Sequence, residues 1–346
     1  MTASPMRWTR LPIHPLLTLV AFLWGLLATH PALAEGRSIC VYDPSGRAGD
    51  FVRIMEQYAI EASSWGLEVE IRAYTDEETA TKDYEASNCD AVVATGVRLQ
   101  RFNRFPATLE AIGAVPDYDL LQQMVTTLAT YESAAARLRS GEHETVGFIS
   151  AGSVYLFVRD REVDTVSELA GLRIATMDYD IASPTMVERV GAIMVPADLG
   201  SIGPKFNNGD VDACYMSAPG FRPFELWRGL EPDGGIIHFP LAQATLQVMI
   251  RAPLFPNGFS AKSRTWFATH LVDSIALSKR ADADIPDKHW IEVPADRREK
   301  WDEMFLDVRL RLRDDVGAYD GSMLTALRKL RCASDSSRAE CAEKRE

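Results

Sequence analysis

The residues able to do covalent chemistry are scattered in this chain. His143, His238, His270 and His289 follow the first 34 residues, and none shares with a cysteine, a serine or a carboxylate a local motif that would suggest a nucleophile or a metal. A nucleophile needs a base within reach, and a metal needs closely spaced donors such as CxxC or paired histidines; neither pattern occurs. Gly147 to Gly152 reads G-x-x-S-x-G, one residue out from a nucleophile elbow. No phosphate loop or dinucleotide fingerprint is present, so neither a cofactor nor a metal is expected. What remains are polar residues placed to bind. Asp43, Ser45 and Arg47 follow one strand candidate, and Thr95 and Arg98 follow another. Asp178, Tyr179 and Asp180 follow a third, Tyr215 and Met216 end a fourth, and Tyr155 stands near a crossover. Loop groups at the carboxyl ends of strands converge on the crevice of an open α/β sheet. Each alone serves a turn or a cap equally well, Asp43 before Pro44 above all. The acidic pair Asp178 and Asp180 permits a cationic ligand.

The elements that must position these groups are readable from residue 165 to residue 218. Thr165 and Glu168 have capping-box spacing, so a short helix starts there and Gly171 ends it. Leu172 to Met177 reads as a buried strand. Ser183 as cap and Pro184 in the first turn open a helix through Val190. Ala192 to Val195 is a strand, Leu199 to Phe206 a helix weakened by Gly200 and Gly203, and Val211 to Met216 a third strand. Alternation at this spacing means βαβ crossovers and a parallel sheet. The region after residue 38 repeats the scheme: strand 38–42, helix 51–64, strand 67–73, helix 75–87 and strand 90–94. Val146 to Ser150 and Val154 to Val158 are strand-like and straddle Ala151 and Gly152, a hinge candidate between lobes. Downstream the chain is helical, with core faces at Trp301, Phe305, Val308 and Leu312 and at Met323, Leu324, Leu327 and Leu330.

Arg7 and Arg10 precede an apolar run from Leu16 to Ala28, and Ala32, Leu33 and Ala34 supply a small-residue cleavage site. This is a secretory signal peptide, too short in its apolar part for a span of about 20 residues. No cysteine stands directly after the cleavage site, so the mature chain from Glu35 is expected not to be membrane-anchored. Removing the signal takes two of 37 basic residues and none of 49 acidic ones, so the net charge moves from −12 to −14 (35 against 49). An acidic chain of this kind is not a nucleic-acid binder. About 310 residues call for two lobes. Residues 35–150 and 241–331 form lobe I with the C-terminal helices, 151–240 form lobe II, and 332–346 form a loose polar tail. In an oxidising compartment Cys40 and Cys89, at the amino ends of neighbouring strands, are placed to pair. Cys332 and Cys341 would staple the tail, leaving Cys214 as a core thiol; the alternative leaves all five as thiols.

Thr165 to Ile174 resembles the "DL-G-L-K-I-R" stretch of the periplasmic solute-binding proteins of TRAP transporters, the DctP type. Val190 to Val195 is similar to the "GA-P-V" that follows it there, and Phe206 to Asp212 to the "aL--G-VDG" after that. Ile39 to Asp43, Val187 to Ile193 and Leu330 to Cys332 resemble, more narrowly, the AdeT-like putative solute-binding proteins. The resemblance implies a two-lobe α/β fold of the type II periplasmic binding protein class, with doubly wound sheets, hinge crossovers and a helical C-terminal region. It implies a periplasmic, non-enzymatic protein that closes on a small solute of unknown identity, with membrane permease subunits as partners. An accessory envelope or efflux-associated protein without a transport ligand, or an enzyme on the same fold, are the alternatives. In the TRAP family the arginine closing the motif pairs with the substrate carboxylate. Here that position is Ala175, and Arg173 takes the lysine slot, which leaves Arg47 or Arg98 to replace it.

Overall fold

Unbroken apolar runs at Ile39–Tyr42 and Ala91–Ala94, and the alternating run at Leu67–Tyr74, become strands of one sheet in the computed structural model. It describes residues 35–346 together with Thr2 and Ser4. The signal-peptide reading falls on residues outside those described. The chain begins β1 (Glu35–Tyr42), α1 (Asp50–Ser64), β2 (Leu67–Tyr74), α2 (Glu77–Glu85) and β3 (Ala91–Thr95). Short helices α3 (Gly96–Leu99), α4 (Arg104–Ala107), α5 (Tyr118–Thr130) and α6 (Glu132–Ala135) lead to β4 (Arg139–Ser140) and the long β5 (His143–Val158). Then come β6 (Arg173–Met177), α7 (Ala182–Arg189), β7 (Ile193–Ala197), α8 (Leu199–Asn208), β8 (Ala213–Ser217) and the equally long β9 (Gly235–Arg251). The remainder is α9 (Phe259–Ala283), β10 (Trp290–Ile291), α10 (Ala295–Asp314), α11 (Gly321–Ser334) and α12 (Ala339–Glu343).

The main strand order is β2-β1-β3-β9-β5-β8-β6-β7. β1 and β3 are parallel, as are β8, β6 and β7, which is what βαβ crossovers enforce. Between these two parallel groups run β9 and β5, antiparallel to each other and to β3 and β8. The two strand pieces expected around Ala151 and Gly152 are one strand of 16 residues, whose register against β9 slips between Thr145 and Gly147, Ser150 and Gly152, and Val154 and Leu156. At the middle slip Gly152 has φ 97°, and a Cβ there would lie 2.6 Å from Cδ of Pro219. Only glycine fits both demands.

Local signals predict most elements well. The Thr165–Glu168 capping box is present. α7 is the exception: it starts at Ala182 and Ser183 does not cap it. The Asp180 carboxylate takes that role by accepting from the Ala182 and Ser183 amides, at 2.8 and 3.3 Å. A carboxylate is the stronger acceptor for the orphan amides of a first turn. Trp301, Phe305, Val308 and Leu312 are buried on α10, and Met323, Leu324 and Leu327 on α11.

Cys40 is bonded to Cys89 and Cys332 to Cys341, while Cys214 is a buried free thiol on β8. The polar tail folds back instead of trailing. Glu340 and Glu346 bury their carboxylates against Arg309 and Arg331, themselves almost fully buried. A fork from Arg331 grips Glu340 at 2.7 and 2.8 Å, the planar two-point geometry that suits guanidinium to carboxylate. Arg309 and Arg331 also donate to the carbonyls of Ile112 and Ala114, at 2.9 and 2.6 Å, and so fix the loop between α4 and α5.

Candidate functional site

The carboxyl ends of β1, β3, β6 and β8 all open on one cavity of about 200 Å³. Tyr42 ends β1, Thr95 ends β3, Met177 ends β6, and Tyr215 to Ser217 end β8, so both parallel groups contribute. Ala151 and Val154 of β5, with Leu241 to Leu246 of β9, form the strip between them. Ile112, held by Arg309, and Tyr319, whose hydroxyl accepts from the Ile112 amide at 3.3 Å, supply a further wall. Most of the lining is apolar or aromatic, as a pocket that desolvates a guest requires.

Among the described residues three carboxylates line this cavity, Glu77, Glu110 and Asp180, and no lysine, arginine or histidine does. Glu110 is buried and accepts from the amides of Gly96, Val97 and Thr245 and from the Thr245 hydroxyl. Burial nevertheless pushes its pKa up to about 7, against the pull of those donors. Gly96 allows the approach, since a Cβ there would stand 2.6 Å from Oε1 of Glu110. Asp180 is held by α7 and by the Tyr215 hydroxyl at 3.0 Å. Glu77 differs. It opens α2 and is 0% exposed, and its Oε1 accepts from the Thr95 amide at 2.6 Å. Its Oε2 accepts no hydrogen bond among the described residues, and neither does Nε of Arg98, 3.6 Å away, donate one. Burial raises the pKa of Glu77. The Arg98 guanidinium lies flat over the Tyr179 ring, 3.6 Å from its centroid, so a cation from α3 caps an aromatic from the loop after β6.

Of the residues singled out from sequence, Thr95, Tyr179, Asp180, Tyr215 and Met216 line the cavity. Arg98 stands at its edge, lining a neighbouring groove. Asp43 does not reach the cavity. Its carboxylate accepts from the amides of Ser45, Phe51 and Val52, so the turn-and-cap role prevails. Ser45, Arg47 and Asp178 are absent from the lining, and Arg47 and Asp178 point to solvent. Tyr155 packs on Trp290 and His238 on the opposite side of the strand from its lining neighbour Val154. Ala175 is fully buried in a hydrophobic cluster, and Arg173 pairs with Asp212 at 2.7 Å, at the amino end of β6 away from the cavity. Neither replaces the missing arginine. Tyr42, Glu77, Glu110, Ile112 and Tyr319 were not among the sequence candidates. Only Tyr42 carries a local signal, as the last residue of its strand.

Residues 57–346 match the family model described as "Solute-binding protein AdeT 1/2". The probable solute-binding protein AdeT1 of Acinetobacter baumannii is 36% identical over 307 residues, covering 87% of this chain and 99% of that protein. AdeT2 of the same organism is 26% identical over 66% of this chain and 96% of its own length. Among solved structures, a TRAP periplasmic solute binding protein from Desulfovibrio salexigens with bound orotic acid superposes with a TM-score of 0.70, at 12% identity, over 86% of this chain and 99% of that one. One from Shewanella oneidensis with bound succinate gives 0.63, at 12% identity, over 86% and 99%. DctP7, a Bordetella pertussis extracytoplasmic solute receptor binding pyroglutamic acid, gives 0.66 at 13% identity, over 86% and 100%. The fold is therefore the mixed α/β fold of TRAP periplasmic binding proteins, of the type II class. No described helix is long and apolar enough to cross a membrane.

Proposed function

Because this chain belongs to the solute-binding protein AdeT 1/2 family, a non-enzymatic class, we propose that it captures a small solute by closing two lobes around the cavity. Lobe I comprises residues 35–150 and 241–331, lobe II residues 151–240. The observation that carries this reading is that strand ends from both parallel groups line one small apolar cavity, with Arg98 of one side stacked on Tyr179 of the other. The hinge is the pair β5 and β9, where register slips and Gly152 concentrate the bending. A ligand touched from both sides favours the closed form because only that form makes all its contacts. The residues that hold it are Thr95, Tyr179, Asp180, Tyr215 and Met216, joined by Tyr42 and Glu77.

The protein works in the periplasm, a reading supported by two disulfides and by fold relatives that are periplasmic. It delivers its solute to membrane permease subunits of the TRAP kind. The test is a thermal-shift screen of small solutes followed by solution scattering. A ligand at a hundred times its Kd should stabilise the protein by about 2.7 kcal/mol, and the scattering radius should fall. A protein that gains stability from no solute and never compacts would end this reading.

A further inference from the structure

The charged groups in the cavity wall are already spent on the protein itself. Asp180 accepts from the Ala182 and Ser183 amides and from the Ser183 and Tyr215 hydroxyls. Glu110 accepts from the Gly96, Val97 and Thr245 amides and from the Thr245 hydroxyl. Four donors apiece is about as many as a carboxylate accepts. Burial also pushes the pKa of Glu110 up to about 7, so near neutrality much of its charge is gone. Oε2 of Glu77 is sealed from the cavity and balanced by the Arg98 guanidinium 3.6 Å away. Arg98 in turn lies on Tyr179 and lines the neighbouring groove, not the cavity. Among the described residues, then, the wall offers a guest neither a free cation nor a free carboxylate. A charged guest of either sign would leave water for a space that cannot pair it, and unpaired buried charge is strongly disfavoured. What the wall does offer is apolar surface, from Phe51, Val154, Leu199 and Leu241, and neutral hydroxyls. Those of Tyr42 and Tyr179 form no hydrogen bond among the described residues, and neither is a sealed atom. Burial raises the pKa of both, so each stays an uncharged donor.

We propose that the guest is an uncharged molecule, a small apolar or aromatic body bearing one hydroxyl or carbonyl oxygen that meets the hydroxyls of Tyr42 and Tyr179. This rests on the solute-binding reading and deepens it: the cavity selects for neutrality. It therefore rejects acids such as the succinate and pyroglutamic acid that fold relatives hold, and amines equally. A space of about 200 Å³ suits one ring and a short side chain.

The test titrates phenylethanol, phenylacetate and phenethylamine, nearly one shape in three charge states, into the purified protein by calorimetry, with ethylbenzene beside them. At neutral pH the alcohol should bind about tenfold or more tightly than either ion. From about pH 7 to about pH 5, phenylacetate should gain about tenfold per pH unit, because only its protonated form enters. The alcohol, which does not titrate, serves as the reference for the protein's own protonation. The double variant Tyr42→Phe with Tyr179→Phe should weaken the alcohol several-fold and leave ethylbenzene unchanged. The wild-type series does not depend on the variant, so a poorly folded variant leaves the answer intact. Phenylacetate or phenethylamine binding as tightly as the alcohol at neutral pH would overturn the inference and leave the solute-binding reading standing. A phenylacetate affinity indifferent to pH, or an alcohol affinity untouched by the double variant, would overturn it too. Silence from all four probes counts against this inference; the broad solute screen then decides separately whether the cavity binds anything.

Discussion

Among the described residues, two of the buried electrostatic centres are built on opposite plans. Around Arg309 and Arg331, each guanidinium meets carboxylates of Glu340 and Glu346 and a backbone carbonyl, so the charges cancel locally. Around the cavity, Glu110 and Asp180 are held by protein donors, while Oε2 of Glu77 has the Arg98 guanidinium 3.6 Å away and no hydrogen bond among the described residues. The first arrangement is complete and can only hold structure together. The second is incomplete at Glu77, where the charge of Arg98 stands in for a hydrogen bond. The two are also connected. The arginines of the paired centre hold the carbonyls of Ile112 and Ala114, and Ile112 is part of the cavity wall.

The largest effect should come from breaking the paired centre from one side. Arg331→Ala leaves Glu340 and Glu346 buried with half their partners gone, and should cost about 3–5 kcal/mol in chemical denaturation. It should also blunt any ligand-induced thermal shift, because the Ile112 wall loses its support. Next, the disulfides separate the regions by loop length. Cys40 and Cys89 are 49 residues apart and tie β1 to the start of β3, whereas Cys332 and Cys341 are 9 apart and tie α11 to α12. Serine pairs at the first should cost about 4 kcal/mol and at the second about 3 kcal/mol, on the chain-entropy model, read from urea midpoints.

pH should move the two centres in opposite directions. Burial opposes the ionised form of Glu340, but Arg331 first, then Arg309 and Arg338, hold its pKa down at about 2. Its contribution is present above its ordinary value near 4.5 and is lost as pH falls toward 2. Glu110, raised to about 7, contributes below 4.5 and loses that contribution as pH rises toward 7. Stability against pH should therefore have a steep acid limb that Glu340→Gln flattens, and a shallow decline from 4.5 to 7 that survives it. A profile rising throughout that second window would contradict the buried state of Glu110. The smallest effect belongs to a pair in neither centre. Arg173 and Asp212 are half exposed, at 44% and 33%, so Asp212→Ala should cost only about 1 kcal/mol or less.

The uneven legibility of these regions follows from range. The Thr165–Glu168 box and the α10 face at Trp301, Phe305, Val308 and Leu312 involve partners three or four residues apart, and all appear as the sequence implies. Tyr179, Asp180, Tyr215 and Met216 were accessible for the same reason, since the end of a strand is a local property. Glu77 was not. In sequence it is one acid among Asp76, Glu77 and Glu78 at the start of a polar helix, which reads as a solvated first turn. In the fold it is fully buried and accepts from the Thr95 amide, 18 residues on. Glu110 depends in the same way on Thr245, and Tyr319 on Ile112, pairings of 135 and 207 residues. Asp43 failed in the other direction, because an Asx-Pro turn and a ligand contact look alike until the amides of Phe51 and Val52 claim the oxygens.

Cys214 sits on β8, fully buried and outside both disulfides, with burial holding its thiol protonated. Sealed in this way, it is silent to alkylating reagents while β8 stays in the stack between β5 and β6. Every excursion that lifts β8 out of its layer, however brief, exposes one sulfur atom once. The chain thus carries an internal reporter, in which the pace of labelling follows the share of time that layer stands open.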